Sequence, residues 1–398
     1  MATNANGTGF WYPSLAGFAG IGLGTGLLRF AYTPIVPTLV HADWTSVPEA
    51  AWLGSANFWG GFGGMLLSLP ISQKLPRQTI LVFAMAIGVA SLFACAWDLG
   101  FVWFAFLRFI QGLAGALIMA LLPGGVMTNV PASHRTMAGG ITIAGMGFAF
   151  FPSLVFPLIA HLGPSAEWIC CGFMGLICLA LAGPFAFRHI RGTTDVQQMN
   201  WQRLDPQARG PYTFFIIAYA VAGVSMIPDA LFLSDYLVRS LNAAPPVASA
   251  LFTYFAAGLG IGAGLGGIVA HRFGSLSSIV ILAALGLGGN SIILIANSAQ
   301  LVSVASFFFA IWVGGTVSMA SIRTLELVGP NRHPTYWPVM CLAYAIGMGI
   351  AATGFAGLTQ HGVPTLFFFW MVELFLFLFI VFALFSYRGS GISLVQDG

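Results

Sequence analysis

Residues 101–122, FVWFAFLRFIQGLAGALIMALL, form one long apolar run interrupted by a single charge, Arg108, and a single amide, Gln111. About 20 mostly apolar residues are enough for a helix to cross a bilayer, so this stretch predicts a membrane-spanning helix. Runs of the same kind lie on both sides of it. Upstream are 14–39, 47–70 and 79–97; downstream are 137–160, 166–187, 212–238, 247–270, 276–297, 300–322, 336–358 and 364–387. The expectation is an all-α integral membrane protein with twelve transmembrane helices in two six-helix bundles. Residues 1–190 form the first bundle, 191–210 a polar linker carrying Arg191, Arg203 and Arg209, and 211–398 the second bundle.

Composition supports this. Charged residues make up 6% of the chain, against about 25% in an ordinary soluble domain, and the mean hydropathy is +0.90. A lipid-facing surface needs few charges, whereas a water-facing one of this size needs many. The formal net charge of +3 comes from basic residues scattered among loops, so no nucleic-acid partner is expected. Met1 to Trp11 has no Lys or Arg and lacks the pattern of a cleaved signal peptide; the first apolar run is expected to be retained. Cys95, Cys170, Cys171, Cys178 and Cys341 all lie in apolar runs without metal-type spacing, which predicts packing roles and neither a metal nor a cofactor.

Basic residues bias the loops toward one side of the membrane. Lys74, Arg77, Arg135, Arg188, Arg272, Arg332 and Arg388 fall on one side, and Arg239 with Asp43, Asp98, Glu167 and Asp235 on the other. The positive-inside rule then places both termini in the cytoplasm. Glycines also repeat between the halves. Gly60, Gly61, Gly63 and Gly64 mark the second run, and Gly258, Gly260, Gly262, Gly264, Gly266 and Gly267 the eighth. Small residues let membrane helices approach closely, so these two helices are expected at a moving interface between the halves.

Charges within the spans are the functional signal. An Arg at the bilayer centre costs from about 2.5 to more than 10 kcal/mol, yet Arg29, Arg108, Asp229 and Glu373 all fall inside apolar runs. They are expected to face the protein interior or a water-filled cavity. Arg29 and Asp229 lie at similar depth in the first helix of each half, and a meeting of the two is one expectation. Arg29 precedes Pro34 and Pro37, which predicts an interrupted helix whose freed backbone lines a cavity. Tyr32, Asn57, Trp59, Tyr254, Trp312 and Tyr344 are the candidates to complete a substrate site with Arg29 and Arg108. Arg108 could instead tie helices together through backbone carbonyls. Because Arg keeps its charge while a carboxyl can gain and lose a proton, Asp229 and Glu373, with Arg108, are the candidates for proton coupling.

Two segments resemble known transporters. FLRFIQGLAGA at 106–116 resembles the fourth-helix motif of the major facilitator superfamily, Arg-x-x-Gln-Gly followed by small residues, and the segment from Gly267 to Gly274 is similar to that superfamily's second-half loop motif. LRFAYTPIVP at 28–37, WLGSAN at 52–57 and IPDALFL at 227–233 are similar to the YbfB/YjiJ-type bacterial transporters. The resemblance implies a two-bundle fold, a bacterial cytoplasmic (inner) membrane location and, for Arg108, a part in proton coupling. The Gly-Pro pair of drug antiporters is missing from the fifth run. A monomeric, proton-coupled secondary transporter of a small organic solute, more readily an anion or acid, is therefore expected. Efflux of drugs or cations in exchange for protons is the alternative. An enzyme is not expected, since the seven histidines fall at loops or helix ends and form no metal pair.

Overall fold

The computed structural model describes residues 9–190, 192, 204–329 and 331–388. Twelve long helical segments account for nearly all of them: α1 (Trp11–His41), α2 (Val47–Lys74), α3 (Arg77–Ala94), α4 (Phe101–Thr128), α5 (Arg135–Leu162) and α6 (Pro164–His189), then α7 (Pro206–Arg239), α8 (Pro245–Phe273), α9 (Ser275–Ile295), α10 (Ala299–Val328), α11 (His333–Gln360) and α12 (Thr365–Arg388). No strand occurs among the described residues. All but α2 are long and apolar enough to cross a membrane by composition. α2 has the length, 28 residues, but its glycines and serines dilute its hydropathy. Large apolar side chains such as Phe83, Val102, Leu158 and Ile295 are exposed, as lipid-facing positions must be. Most of the expected linker lies outside the described residues; α7 begins at Pro206.

Local sequence sets where helices start and turn. A capping box opens α2: the Ser46 hydroxyl accepts from the Glu49 backbone N–H, and the Glu49 carboxylate accepts from the Ser46 backbone N–H at 2.8 Å. Gly100 (φ +84°) and Gly274 (φ +77°) turn the chain into α4 and α9, in the left-handed region that glycine enters without a Cβ clash.

Packing follows the same plan in both halves. α2 lies on α4, α3 on α6 and α1 on α5 and α6; correspondingly α8 lies on α10, α9 on α12 and α7 on α11 and α12. Glycines make the tightest of these contacts. A Cβ at Gly60 or Gly64 would stand 2.0 or 2.4 Å from the Phe109 or Leu113 carbonyl oxygen, and one at Gly258 or Gly262 2.2 or 2.1 Å from those of Phe307 or Ile311. The pattern is an internal repeat expressed in backbone contacts.

Across the halves, α2 meets α11, α5 meets α8, and α1 meets α7 and α8. This corrects the expected use of the glycines. Those of α2 pack chiefly within their own half. On α8 the glycines divide: Gly258, Gly262 and Gly266 face α10, while Gly260 and Gly264 face Gly147 and Gly140 of α5. A two-residue offset turns a helix by about 200°, so alternate glycines of one helix serve opposite neighbours.

The interruption expected in α1 takes a different form. Gly22–Phe30 is π-wound, and a regular helix resumes at Tyr32 with Pro37 inside it. In α7 the segment Pro228–Phe232 is likewise π-wound. Each wide segment contains the intramembrane charge of its helix, Arg29 or Asp229, as π-bulges at functional sites often do.

Candidate substrate cavity

A cavity of about 970 Å³ lies between the halves. Its mouth carries Arg77 and Arg135, so it opens toward the side of Lys74, Arg77 and Arg135, called here the basic end. The opposite, acidic end is closed by bonds between the halves. Thr33 Oγ1 donates to the Ala230 carbonyl, and Ser249 Oγ donates to the Pro34 carbonyl at 2.5 Å. Ser55 and Thr353 share a hydrogen bond of 2.9 Å, Trp59 Nε1 donates to Thr353 Oγ1 at 2.8 Å, and Trp52 Nε1 to Gln360 Oε1 at 3.4 Å. Gly54 lets Leu231 pack against α2, where a Cβ would stand 2.6 Å from its Cδ2.

Arg29 lies deepest among the cationic lining residues, roughly midway along α1. Its guanidinium packs over the Phe58 ring at 5.1 Å and donates to Met348 Sδ at 3.9 Å. A Cβ at Gly61 would meet its Nη2 at 2.5 Å, so this glycine makes room for the charge. Among the described residues no carboxylate forms a salt bridge with Arg29, and no Asp or Glu lines the cavity. Arg29 and Asp229 form no ion pair. Asp229 is fully buried, accepts from Ser306 of α10 at 2.6 Å, and its Oδ2 has no hydrogen-bond partner. Winding of the α7 π segment turns the carboxylate into the second half, away from α1.

The other expected site residues separate into groups. Arg108, Asn57 and Tyr32 form a buried brace behind the cavity wall. Arg108 Nη1 donates to the Leu28 carbonyl at 3.0 Å and to Gln111 Oε1 at 2.5 Å, and the guanidinium sits 4.2 Å from the Tyr32 ring centroid. Asn57 Nδ2 donates to the same Leu28 carbonyl at 2.9 Å and to that of Arg108 at 3.1 Å. Tyr32 in turn donates to the Ala50 carbonyl at 2.9 Å. Arg108 thus holds the π-wound part of α1, the backbone-tying role, and does not line the cavity.

Tyr344 does line it, stacked on Tyr219 at 4.5 Å and donating to Met226 Sδ at 2.8 Å. Trp59 belongs to the acidic-end closure. Trp312 is corrected to a packing residue: it is buried inside the second half against Phe309, Phe379 and Gly286. Tyr254 is corrected to the outer surface, 42% exposed, because it falls on the lipid side of α8. Glu373 lies apart from the cavity, accepting from Asn290 at 3.1 Å and Ser291 at 2.9 Å where α12 meets α9.

Several polar groups escaped the sequence reading. Thr25 lines the cavity four residues before Arg29, a spacing that places both on one helix face. Glu167, expected in a loop, is buried in the first turn of α6 and accepts from Thr38 at 3.1 Å. Asp235, also expected in a loop, pairs with Arg239 near the end of α7. Arg323 is buried because α10 continues to Val328; it pairs with Glu326 at 3.0 Å and lies 3.6 Å from the Tyr387 ring centroid. Long charged stretches at helix ends look like loop in a hydropathy reading, which hides them.

The family model described as "Uncharacterised MFS-type transporter YbfB" matches residues 20–372. A curated relative, "Uncharacterized MFS-type transporter YceJ" of Bacillus subtilis (strain 168), is 26% identical over 117 residues, 29% of this chain. The match spans 30% of that relative's length.

Proposed function

Since the chain belongs to the YbfB-type family of major facilitator transporters, we propose that it is a secondary active transporter of a small organic anion, coupled to protons and working by alternating access. The observation that carries the anion is the cavity's charge. Arg29 lines its deep end without a salt bridge, and no carboxylate lines the wall among the described residues. A desolvated guanidinium with no counter-ion is strongly attractive to an anion. Efflux of cations, the alternative, finds no acidic group on this wall among the described residues.

Asp229 is the proposed proton carrier. It is buried, has one hydroxyl donor and an unpartnered second oxygen, and sits beside Ala230, whose carbonyl takes the Thr33 bond that closes the acidic end. A proton on this carboxyl would therefore be coupled to the closure. Arg108 contributes by fixing the backbone that carries Arg29. By the positive-inside rule the basic end is cytoplasmic and the cavity faces inward in this conformation, in a bacterial inner membrane, with the two six-helix halves moving as bodies.

The test is uptake of radiolabelled organic anions into proteoliposomes under an imposed pH gradient. Arg29→Gln should abolish anion-dependent uptake, and Asp229→Asn should abolish its response to the gradient while anion binding persists. Full gradient-driven uptake by both variants would refute the proposal.

A further inference from the structure

The cavity wall changes character along its depth, and this narrows the cargo. At the deep end stand a guanidinium and a hydroxyl that have no oxygen partner among the described residues. Arg29 has a thioether and a ring as neighbours, and the hydroxyl of Thr25, one turn away on the same helix, has no hydrogen-bond partner among the described residues. The serine hydroxyls of the wall are engaged, whereas those of Tyr219 and Thr136 have no hydrogen-bond partner among the described residues. Ser68 donates to Met65, Ser318 to Ala263, and Ser321 pairs with His333. The rest of the wall is mainly soft and apolar, with methionines, leucines and glycines.

One side of that wall is aromatic. Trp337, Tyr219 and Tyr344 all line the cavity. Tyr219 stacks on Tyr344 at 4.5 Å, and Trp337 lies beside it, tilted, at 6.1 Å. Met348 follows Tyr344 by one turn of α11 and touches Arg29 through its sulfur. Tyr344 therefore stands next to the anion-binding guanidinium. Methionines Met65, Met119, Met127 and Met146 extend the wall; a thioether adapts its shape and makes favourable contacts with aromatic rings.

We infer that the cargo is an aryl monocarboxylate, with its carboxylate on Arg29 and Thr25 and its ring on the Tyr344–Tyr219 stack. The inference rests on the anion reading above and deepens it. A sugar acid or other polyhydroxylated anion would find few partners for its hydroxyls along this wall, chiefly Tyr219 and Thr136, and would set the rest against methionines and rings, at the cost of their lost hydrogen bonds to water. A dicarboxylate would need a second free cation at the deep end, where Arg29 is the lining residue that supplies one.

The experiment is ligand binding to the full-length detergent-purified protein, by isothermal titration and thermal stabilisation, with benzoate, phenylacetate, cyclohexanecarboxylate, gluconate and benzylamine. Benzoate and phenylacetate should bind and raise the unfolding temperature, cyclohexanecarboxylate should bind more weakly, and gluconate and benzylamine should have no effect. Arg29→Gln should weaken benzoate by at least about tenfold, the loss of a charge-assisted pair. Tyr344→Leu should weaken benzoate by about two- to tenfold, the worth of an aromatic pair, and leave cyclohexanecarboxylate unchanged. Tyr344→Phe should retain the aromatic preference; it and Arg29→Lys serve where the harsher variants fail to purify.

Arg29-dependent binding of gluconate without benzoate, or equal affinity for benzoate and cyclohexanecarboxylate, would overturn the aryl inference and leave the anion reading standing. Binding of benzylamine in place of the anions, or no effect of any anion up to millimolar concentration, would overturn both.

Discussion

Two seams join the halves, α2 with α11 and α5 with α8, and they occupy corresponding places in the internal repeat yet are built from different materials. The α2–α11 seam is made of side chains. Ser55, Trp59 and Trp52 reach Thr353 and Gln360 through hydrogen bonds, all toward the acidic end, while farther along Met65 and Ser68 of α2 and Trp337 and Cys341 of α11 face the open cavity. The α5–α8 seam is made of backbone. A Cβ at Gly147 would stand 2.6 Å from the Ala256 carbonyl oxygen and 2.8 Å from the Gly260 Cα, and one at Gly140 2.7 Å from the Gly264 carbonyl oxygen. Side-chain bonds can break and re-form; a glycine contact has no bond to break and tolerates sliding. On the proposed alternating access, the difference would give α2–α11 the closure and α5–α8 the surface about which the halves move.

The largest effect should come from Gly147→Val. The neighbouring atoms are backbone and cannot swing aside, so the cost should reach the upper part of the overpacking range, about 3 kcal/mol, seen as a lowered unfolding temperature together with lost transport. Ser55→Ala combined with Thr353→Val should act differently. It removes two cross-half bonds worth about 0.6 kcal/mol each in a membrane protein, leaving the fold intact and shifting the population toward an open acidic end, measured by spin-label distances. Trp59→Phe removes one of those bonds and should give about half that shift, about 0.6 kcal/mol. Gly264→Ala should be nearly silent in thermal unfolding, within about 0.5 kcal/mol, because its Cβ would meet Ala144 Cβ at 3.3 Å and the Gly140 carbonyl oxygen at 3.5 Å. If Gly147→Val moved only the conformational equilibrium while the Ser55/Thr353 double variant unfolded the protein, the assignment of the two seams would be reversed.

The fold was legible because a bilayer imposes its own length on sequence. Twelve apolar runs came through as twelve helices, with errors confined to their ends, where charged turns such as those holding Arg323 and Glu326 continue the helix past the apolar core. The depth of Arg29 was legible for the same reason. Its surroundings were not. Helix rotation decides which face meets the cavity, and hydropathy carries no such information in a helix that is apolar all round; hence Tyr254 emerged on the lipid side, Trp312 inside the second half, and Arg108 behind the wall. The π-wound segment at Gly22–Phe30 alters the rotation further, and its glycines give no sign of that register change. Thr25 was hidden because one threonine in an apolar helix is unremarkable until its neighbour proves to be an unpaired arginine.

Alternating access is tested most directly by double electron–electron resonance on the full chain, with noncanonical spin-labelled residues at Ala42 and His361 for the acidic end, or at Gln73 and Asn331 for the basic end. Distances would be recorded with and without benzoate, at several pH values, in wild type and in the Ser55→Ala/Thr353→Val variant. The predicted result is a second population in which the acidic-end distance lengthens as the basic-end distance shortens, enriched in the double variant. A single short acidic-end distance under every condition, including the variant that lacks two of the closing bonds, would contradict it.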